Sequence, residues 1–414
     1  MFKKALSLCL ALLMVATMCV SMVSCGESED EFKLGVILLH DETSTYDLNF
    51  IEAVERAAKE LGLEKDQVIY KKNIPESNAC YEAAADLVDE GCDIIFADSF
   101  GHEDFLIKAA KEFKDVQFCH ATGTKAHTEK LDNFHNAFAS IYEGRFLAGV
   151  AAGMKLNEMI DAGKITAEQA KMGYVGAFTF AEVISGYTSF YLGAKYVCPS
   201  VTMEVQFTGS WYNETEEKNA AIALMNNGCV LISQHADSMG APSACEERDV
   251  PNVSYNGSTQ KSCPDTYIVS SKIDWTPYFV YICKNVQENK AIDADWTGTI
   301  STGSVALTEV NTKAAAAGTQ AKIDEIKAKL VAGELKVFDT DTFTVTKDEN
   351  KNTNATVDEN GKLTGYKADV DTDADFTGDT EVVKDGYFHE SEFRCAPYFD
   401  IQIDGITLLN VNFG

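Results

Sequence analysis

Tyr46, Asp47, Asp98, Ser99, Phe100, Phe178, Phe180, Trp211, Gln234, His235, Asp237 and Asn256 all lie just past, or at the end of, short apolar runs. Their types suit recognition. Carboxylates, amides and hydroxyls exchange hydrogen bonds, and aromatic rings stack on flat partners. Together they form a candidate site for a small, neutral ligand with an aromatic face. Taken singly, each has a plainer use. Asp47 is a good residue for a helix start, Phe100 and Phe180 suit a core, and His235 suits a loop. Recurrence after successive strand ends sets them apart. Catalysis is not indicated, because the chain has no HExxH, no GxSxG and no P-loop. The remaining enzymatic reading is hydrolysis by cleft carboxylates and histidines.

The elements that must position these residues read as alternating strands and helices. Lys33 to Leu39 is a strand, and Asn49 to Leu61 an amphipathic helix that Gly62 ends. Strands follow at 68–70, 93–97 and 116–120, with helices at 78–90 and 102–113. A helix over 141–156 opens a second series. Its strands are at 172–176, 202–207, 230–233, 253–255 and 267–270, and its helices at 185–197, 213–227 and 274–289. A further helix spans 314–330. Such alternation specifies parallel sheets with helices on both faces. The expected fold is therefore α/β, with two doubly wound, Rossmann-like lobes. Residues 33–140 with 270–298 form the first, and 141–269 with 299–340 the second. A cleft between such lobes collects the strand ends, where α/β sheets bind ligands.

The 414 residues carry 35 Lys plus Arg against 64 Asp plus Glu, a formal net charge of −29. That surface repels nucleic acid and anionic headgroups. Residues 341–414 are expected to be an acidic, β-rich C-terminal extension. Within 339–404 there are 17 acidic and 6 basic residues. Asp369, Asp371, Asp373 and Asp375 alternate there, but no register places Gly and Glu where an EF-hand loop needs them. A solvated acidic hairpin is expected instead. Of twelve cysteines, Cys9, Cys19 and Cys25 lie at the N-terminus, which leaves nine. Most sit in apolar runs and are expected to be buried thiols, while Cys245 and Cys263 could pair. No CxxC occurs, so neither a metal nor a cofactor is expected.

Lys3-Lys4 followed by the apolar stretch Ala5 to Val23 reads as an export signal over residues 1–25. Ser24-Cys25, followed by the acidic tether 26–32, resembles a bacterial lipobox with Met22 where Leu is usual. The resemblance implies a diacylglyceryl thioether at Cys25 and a lipid-anchored protein on the extracytoplasmic face of the cell membrane.

Several segments resemble the basic membrane protein (Bmp) family of lipoproteins that bind solutes for ABC importers. The most specific is Tyr142-Glu143-Gly144-Arg145-Phe146-Leu147-Ala148-Gly149-Val150-Ala151-Ala152-Gly153, which is similar to the family's crossover helix. Ser44 to Phe50, Met172 to Ala177, Phe207 to Trp211 and Ala220 to Leu224 add to it, and the likeness covers roughly residues 33–340. The resemblance implies the type I periplasmic-binding fold. It also implies a purine nucleoside held between aromatic rings and carboxylates, and a permease and ATPase as partners. Such a protein is a receptor rather than an enzyme, and a membrane sensor using the same hinge closure is the alternative. Three places depart from the family pattern: Tyr46 replaces an Asn, Gln234-His235-Ala236-Asp237 replaces a Gly-rich turn, and Asn256 replaces an acidic residue.

Overall fold

A computed structural model describes residues 31–346, 351–370 and 378–411. The leader, Cys25 and most of the tether lie outside the described residues, as do Asp371, Asp373 and Asp375.

The first series runs β1 (Leu34–Ile37), α1 (Thr45–Leu61), β2 (Val68–Lys71), α2 (Asn78–Asp89), β3 (Ile94–Ala97), α3 (Glu103–Glu112), β4 (Gln117–Ala121), α4 (Ala126–Glu129) and β5 (Phe134–Ala139). The second runs α5 (Ile141–Asp161), β6 (Lys171–Gly176), α6 (Ala181–Val197), β7 (Thr202–Phe207), α7 (Glu214–Asn226), β8 (Leu231–Gln234), α8 (Gly240–Arg248), β9 (Asn252–Tyr255) and β10 (Tyr267–Ile273). The chain then recrosses through α9 (Thr276–Gln287), β11 (Asp295–Gly298), β12 (Val305–Leu307) and α10 (Thr319–Val331).

One sheet has the order β2-β1-β3-β4-β5-β11 and is parallel throughout. The other contains the run β7-β6-β8-β9-β10-β12, with only β12 antiparallel. The same strand order thus occurs twice. In each sheet the chain reverses its direction of growth between the first and third strands, at β1/β3 and β6/β8. Those switch points open crevices at the strand C-terminal ends.

α5 carries the chain from one sheet to the other and lies against α6. The helices touch through backbone: a Cβ on Gly149 would come 2.0 Å from the Phe190 carbonyl oxygen, and one on Gly193 would come 2.0 Å from that of Phe146. The small residues of the crossover motif are therefore required by packing.

Some elements differ from expectation. β5 had no counterpart in the sequence reading, because His135 and Asn136 interrupt its apolar character. Both find partners inside: His135 Nε2 pairs with Gln117 Oε1 at 2.8 Å, and Asn136 Oδ1 accepts the Ala126 N–H at 2.7 Å. α8, β11 and β12 were likewise unread. α1 and α6 each begin four residues before the expected start. Ser44 caps α1, its hydroxyl accepting the Asp47 N–H at 3.2 Å. The lobe boundary expected at residue 270 falls inside β10, which belongs wholly to the second sheet. The chain returns to the first lobe only with α9, where Trp275 stacks on Phe50 of α1 at 4.6 Å.

The C-terminal segment folds as β13 (Ala355–Val357), β14 (Leu363–Ala368) and β15 (Thr380–Glu381), a hairpin of β16 (Val383–Lys384) and β17 (Tyr387–Phe388), and β18 (Ile406–Leu408). It is acidic outside and apolar inside. Phe399 and Ile401 are fully buried, and Phe399 stacks on Phe338 at 4.1 Å. β18 pairs in parallel with β7, which extends the second sheet. A solvated appendage is thus replaced by a segment packed into the common core. All nine described cysteines are buried free thiols, Cys245 and Cys263 included.

Candidate ligand cleft

A cavity of about 200 Å³ lies where the two switch points face each other. From the first lobe, Tyr46 and Asp47 reach it from the first turn of α1, and Ser99 and Phe100 from the turn after β3. Asp47 Oδ1 accepts the His40 N–H at 2.7 Å, while Oδ2 is buried without a partner. Asp98 is fully buried behind this wall. Its Oδ1 accepts the Leu39 N–H at 3.0 Å, and its backbone carbonyl takes the Tyr46 hydroxyl at 2.7 Å. Burial, and then the charge of Asp47, hold the Asp98 carboxyl well above the usual carboxylate range. Asp98 is therefore the carboxyl at this switch point that favours its protonated form.

The second lobe answers with a compensated chain. Arg145 of α5 is buried, 3.2 Å from the centre of the Tyr255 ring. Its guanidinium donates to the Gln234 carbonyl at 3.1 Å and to His235 Nδ1 at 3.1 Å. Arginine only donates, so Nδ1 accepts and the imidazole proton sits on Nε2. Nε2 lies 2.9 Å from Glu182 Oε2 and donates to it. Burial pushes the His235 pKa down, opposed by Glu182, which keeps the ring neutral near neutral pH. Asp237 completes this side. Its carboxyl is pushed well up, chiefly by burial and then by Glu217, Asp47 and Glu182.

Aromatic rings form the remaining wall. Phe100 of the first lobe and Phe180 of the second touch across the cleft, with centroids 5.2 Å apart. Trp211 stands edge-on to Phe178 at 4.9 Å. A flat ring between Phe100 and Phe180 needs about 7 Å, two contact spacings, so these rings must part to admit one. The lobes also meet where Thr45 donates its N–H to the Asp237 carbonyl at 3.2 Å. This is a closed arrangement.

Of the expected residues, Asp98, Phe178, Gln234 and Asn256 do not line the cavity. Phe178 supports Phe180 from behind, stacked at 5.3 Å. Gln234 Oε1 accepts from Asn252 at 3.0 Å within the sheet. Asn256, at φ 61, donates to Asp237 Oδ1 at 3.3 Å. The sequence reading missed His40, Thr122, Thr124, Tyr255 and Arg394 as lining residues, and Arg145 behind them. Thr122 and Thr124 follow β4 and obey the same strand-end rule as the others. Glu182, in the first turn of α6, also lines the cavity.

The family model for ABC transporter substrate-binding proteins of the PnrA-like (Bmp) type matches residues 36–341. The chain belongs to the Bmp family. It is similar to a purine-binding protein of Brucella abortus (strain 2308), with 30% identity over 274 residues, 66% of this chain and 72% of that protein. A putative ABC transporter glucose-binding protein of Haloferax volcanii is 31% identical over 50% of this chain and 49% of its own length. Among solved structures, an ABC solute-binding protein of Aeropyrum pernix K1 superposes with a TM-score of 0.63 at 18% identity, covering 77% of this chain and 95% of its own. One from Conexibacter woesei DSM 14684 gives 0.60 at 19%, covering 74% and 98%. These two establish the fold. The Bmp protein described here is thus a substrate-binding protein of an ABC transporter, taking small ligands and working with permease and ATPase components. Such proteins of importers are extracytoplasmic. Among the described residues no helix is long and apolar enough to cross a membrane.

Proposed function

We propose that the protein is a lipid-anchored receptor that captures a purine nucleoside, or a close analogue, between its lobes and delivers it to an importer without altering it. The observation that carries this reading is the division of the cavity. Phe100, Phe180 and Trp211 form one wall, and Asp47, Glu182 and Asp237 converge from both lobes on the rest. A nucleoside has the same division, with a flat base and a hydroxyl-rich sugar. A free hexose would use the carboxylates but could set only a C–H face on the aromatic wall, without the ring stacking a base gives. The purine-binding relative supports the same choice. Tyr46, Ser99 and His235 complete the contact set. Asp98, Phe178, Gln234 and Asn256 act through these residues.

Native mass spectrometry of the protein as purified, followed by calorimetry with inosine, adenosine and glucose, tests the proposal. A bound nucleoside mass and binding of a nucleoside but not glucose are expected. Glucose binding alone, or release of free base from the nucleoside, would sink it. For the anchor, Cys25→Ser should move the protein from the membrane fraction to the soluble one.

A further inference from the structure

Arg394, Ala396 and Pro397 line the ligand cavity, although they lie more than fifty residues beyond the family match. The segment that carries them is held at both ends by different lobes. The Cys395 N–H donates to Asp295 Oδ2 of β11, in the first sheet, at 2.7 Å. Further along, Gln402 Oε1 accepts the Tyr187 hydroxyl of α6 at 3.1 Å, and β18 pairs with β7 in the second sheet. Asn410 then closes both sides of one peptide position, accepting from Phe207 N–H at 2.8 Å and donating to its carbonyl at 2.9 Å. Cys395 and Phe399 are fully buried. The cavity therefore has three walls, two from the lobes and one from the tail.

Among the described residues, Arg394 is the only Lys or Arg in those walls. Its guanidinium is fixed by donation to the carbonyls of Ala396 at 3.3 Å, Asp369 at 3.1 Å and Pro397 at 3.4 Å. Those bonds account for three of the five N–H groups an arginine carries. Elsewhere the walls are rich in acceptors (Asp47, Glu182, Asp237), which suit the hydroxyls of a ribose. Arg394 asks for the opposite: a ligand edge that accepts. A 6-oxopurine offers two adjacent acceptors, O6 and N7, the edge arginine reads in guanine. A 6-aminopurine puts an N–H₂ donor in place of O6, and donor faces donor.

We infer that Arg394 is a specificity-determining residue of the cavity, presented by a C-terminal segment that spans both lobes, and that it selects 6-oxopurine over 6-aminopurine nucleosides. The inference rests on the nucleoside reading above. The test is calorimetry with inosine and adenosine on the full chain, its Arg394→Gln variant and its Arg394→Lys variant. The wild type should bind inosine at least tenfold more tightly than adenosine. Arg394→Gln should bring the two within about threefold, by weakening inosine. Arg394→Lys keeps the charge but loses the planar fork, should narrow the preference in the same way, and decides the matter if the Gln variant does not fold. An unchanged inosine-to-adenosine ratio in a folded variant overturns the inference and leaves the nucleoside reading intact. No nucleoside binding by the wild type overturns both. Hydrogen exchange at the Cys395 amide tests the third wall with no ligand present. Exchange should be slow in the wild type and at least tenfold faster in Asp295→Ala, whereas fast wild-type exchange overturns it.

Discussion

The two switch points are built on one strand order and solve opposite electrostatic problems. In the first lobe, Asp47 and Asp98 lie together, with one buried oxygen of each unpartnered. In the second, Glu182 is held by His235, which is held by Arg145, so both carboxylate and imidazole have partners and only Arg145 Nε, under the Tyr255 ring, is left without one. The first half is incomplete until a donor or a proton arrives. The second is preorganised before any ligand comes. A receptor that binds by closing two lobes needs only one of them rigid in this sense. The second lobe can take the ligand first, and the first lobe gains most from closure.

Breaking the compensated half should have the largest effect. Arg145→Met removes the cation from the buried chain, takes the guanidinium donor from the Gln234 carbonyl, and leaves His235 Nδ1 with only the Tyr174 hydroxyl at 3.4 Å. Denaturant unfolding should show a loss of about 3 kcal/mol. A loss below about 1 kcal/mol would mean the chain is ornament to the packing of α5 against α6. The same cut in the first half should behave differently. Asp47→Asn keeps an oxygen for the His40 N–H but removes the charge beside Asp98. Stability should hold or rise, while ligand affinity falls by about 2 kcal/mol, roughly thirtyfold, as a charged acceptor is lost. Calorimetry and unfolding on the same preparation separate the two. A parallel loss of both would erase the proposed contrast between the lobes.

The contrast was only partly visible in the sequence. Alternation of apolar runs and amphipathic helices is local, so the two lobes, their parallel sheets and the strand-end positions of Tyr46, Asp47, Phe180 and Asp237 could be read from it. Arg145 could not be placed, because a lone arginine in a run of small residues says nothing of the ring or histidine it will meet. β5 was hidden since its polar residues find partners on other elements, which no period along the strand reveals. Arg394 was hidden for a similar reason. It reaches the cavity only because β18 joins a strand some 200 residues earlier, and such pairing leaves no short-range pattern. The tail's acidity drew attention to its exterior, while Phe399 and Ile401 direct its fold.

The aromatic wall is shared by both halves, so changing it should disturb each a little. Trp211→Ala removes an edge-on partner of Phe178 and part of the wall, and should weaken nucleoside binding by about 1 kcal/mol, some fivefold. Unchanged affinity would take Trp211 out of the site and leave the Phe100 and Phe180 rings as its aromatic face.

The last effect concerns protons, and it sharpens the comparison most. Burial and neighbouring carboxylates raise the Asp237 pKa in the empty cleft. Ligand hydroxyls that donate to it favour the charged form and lower that pKa. Binding should then release protons, never take them up, and affinity should climb with pH, by at most about tenfold per unit for one group, between the bound and free pKa values. The sign follows because the bound state holds fewer protons than the free one. Calorimetry in two buffers of different ionisation enthalpy measures the release, and Asp237→Asn should reduce it. If the release is unchanged in that variant but vanishes in Asp47→Asn, the proton belongs to the Asp47–Asp98 pair. The uncompensated half would then be the one that titrates on closure.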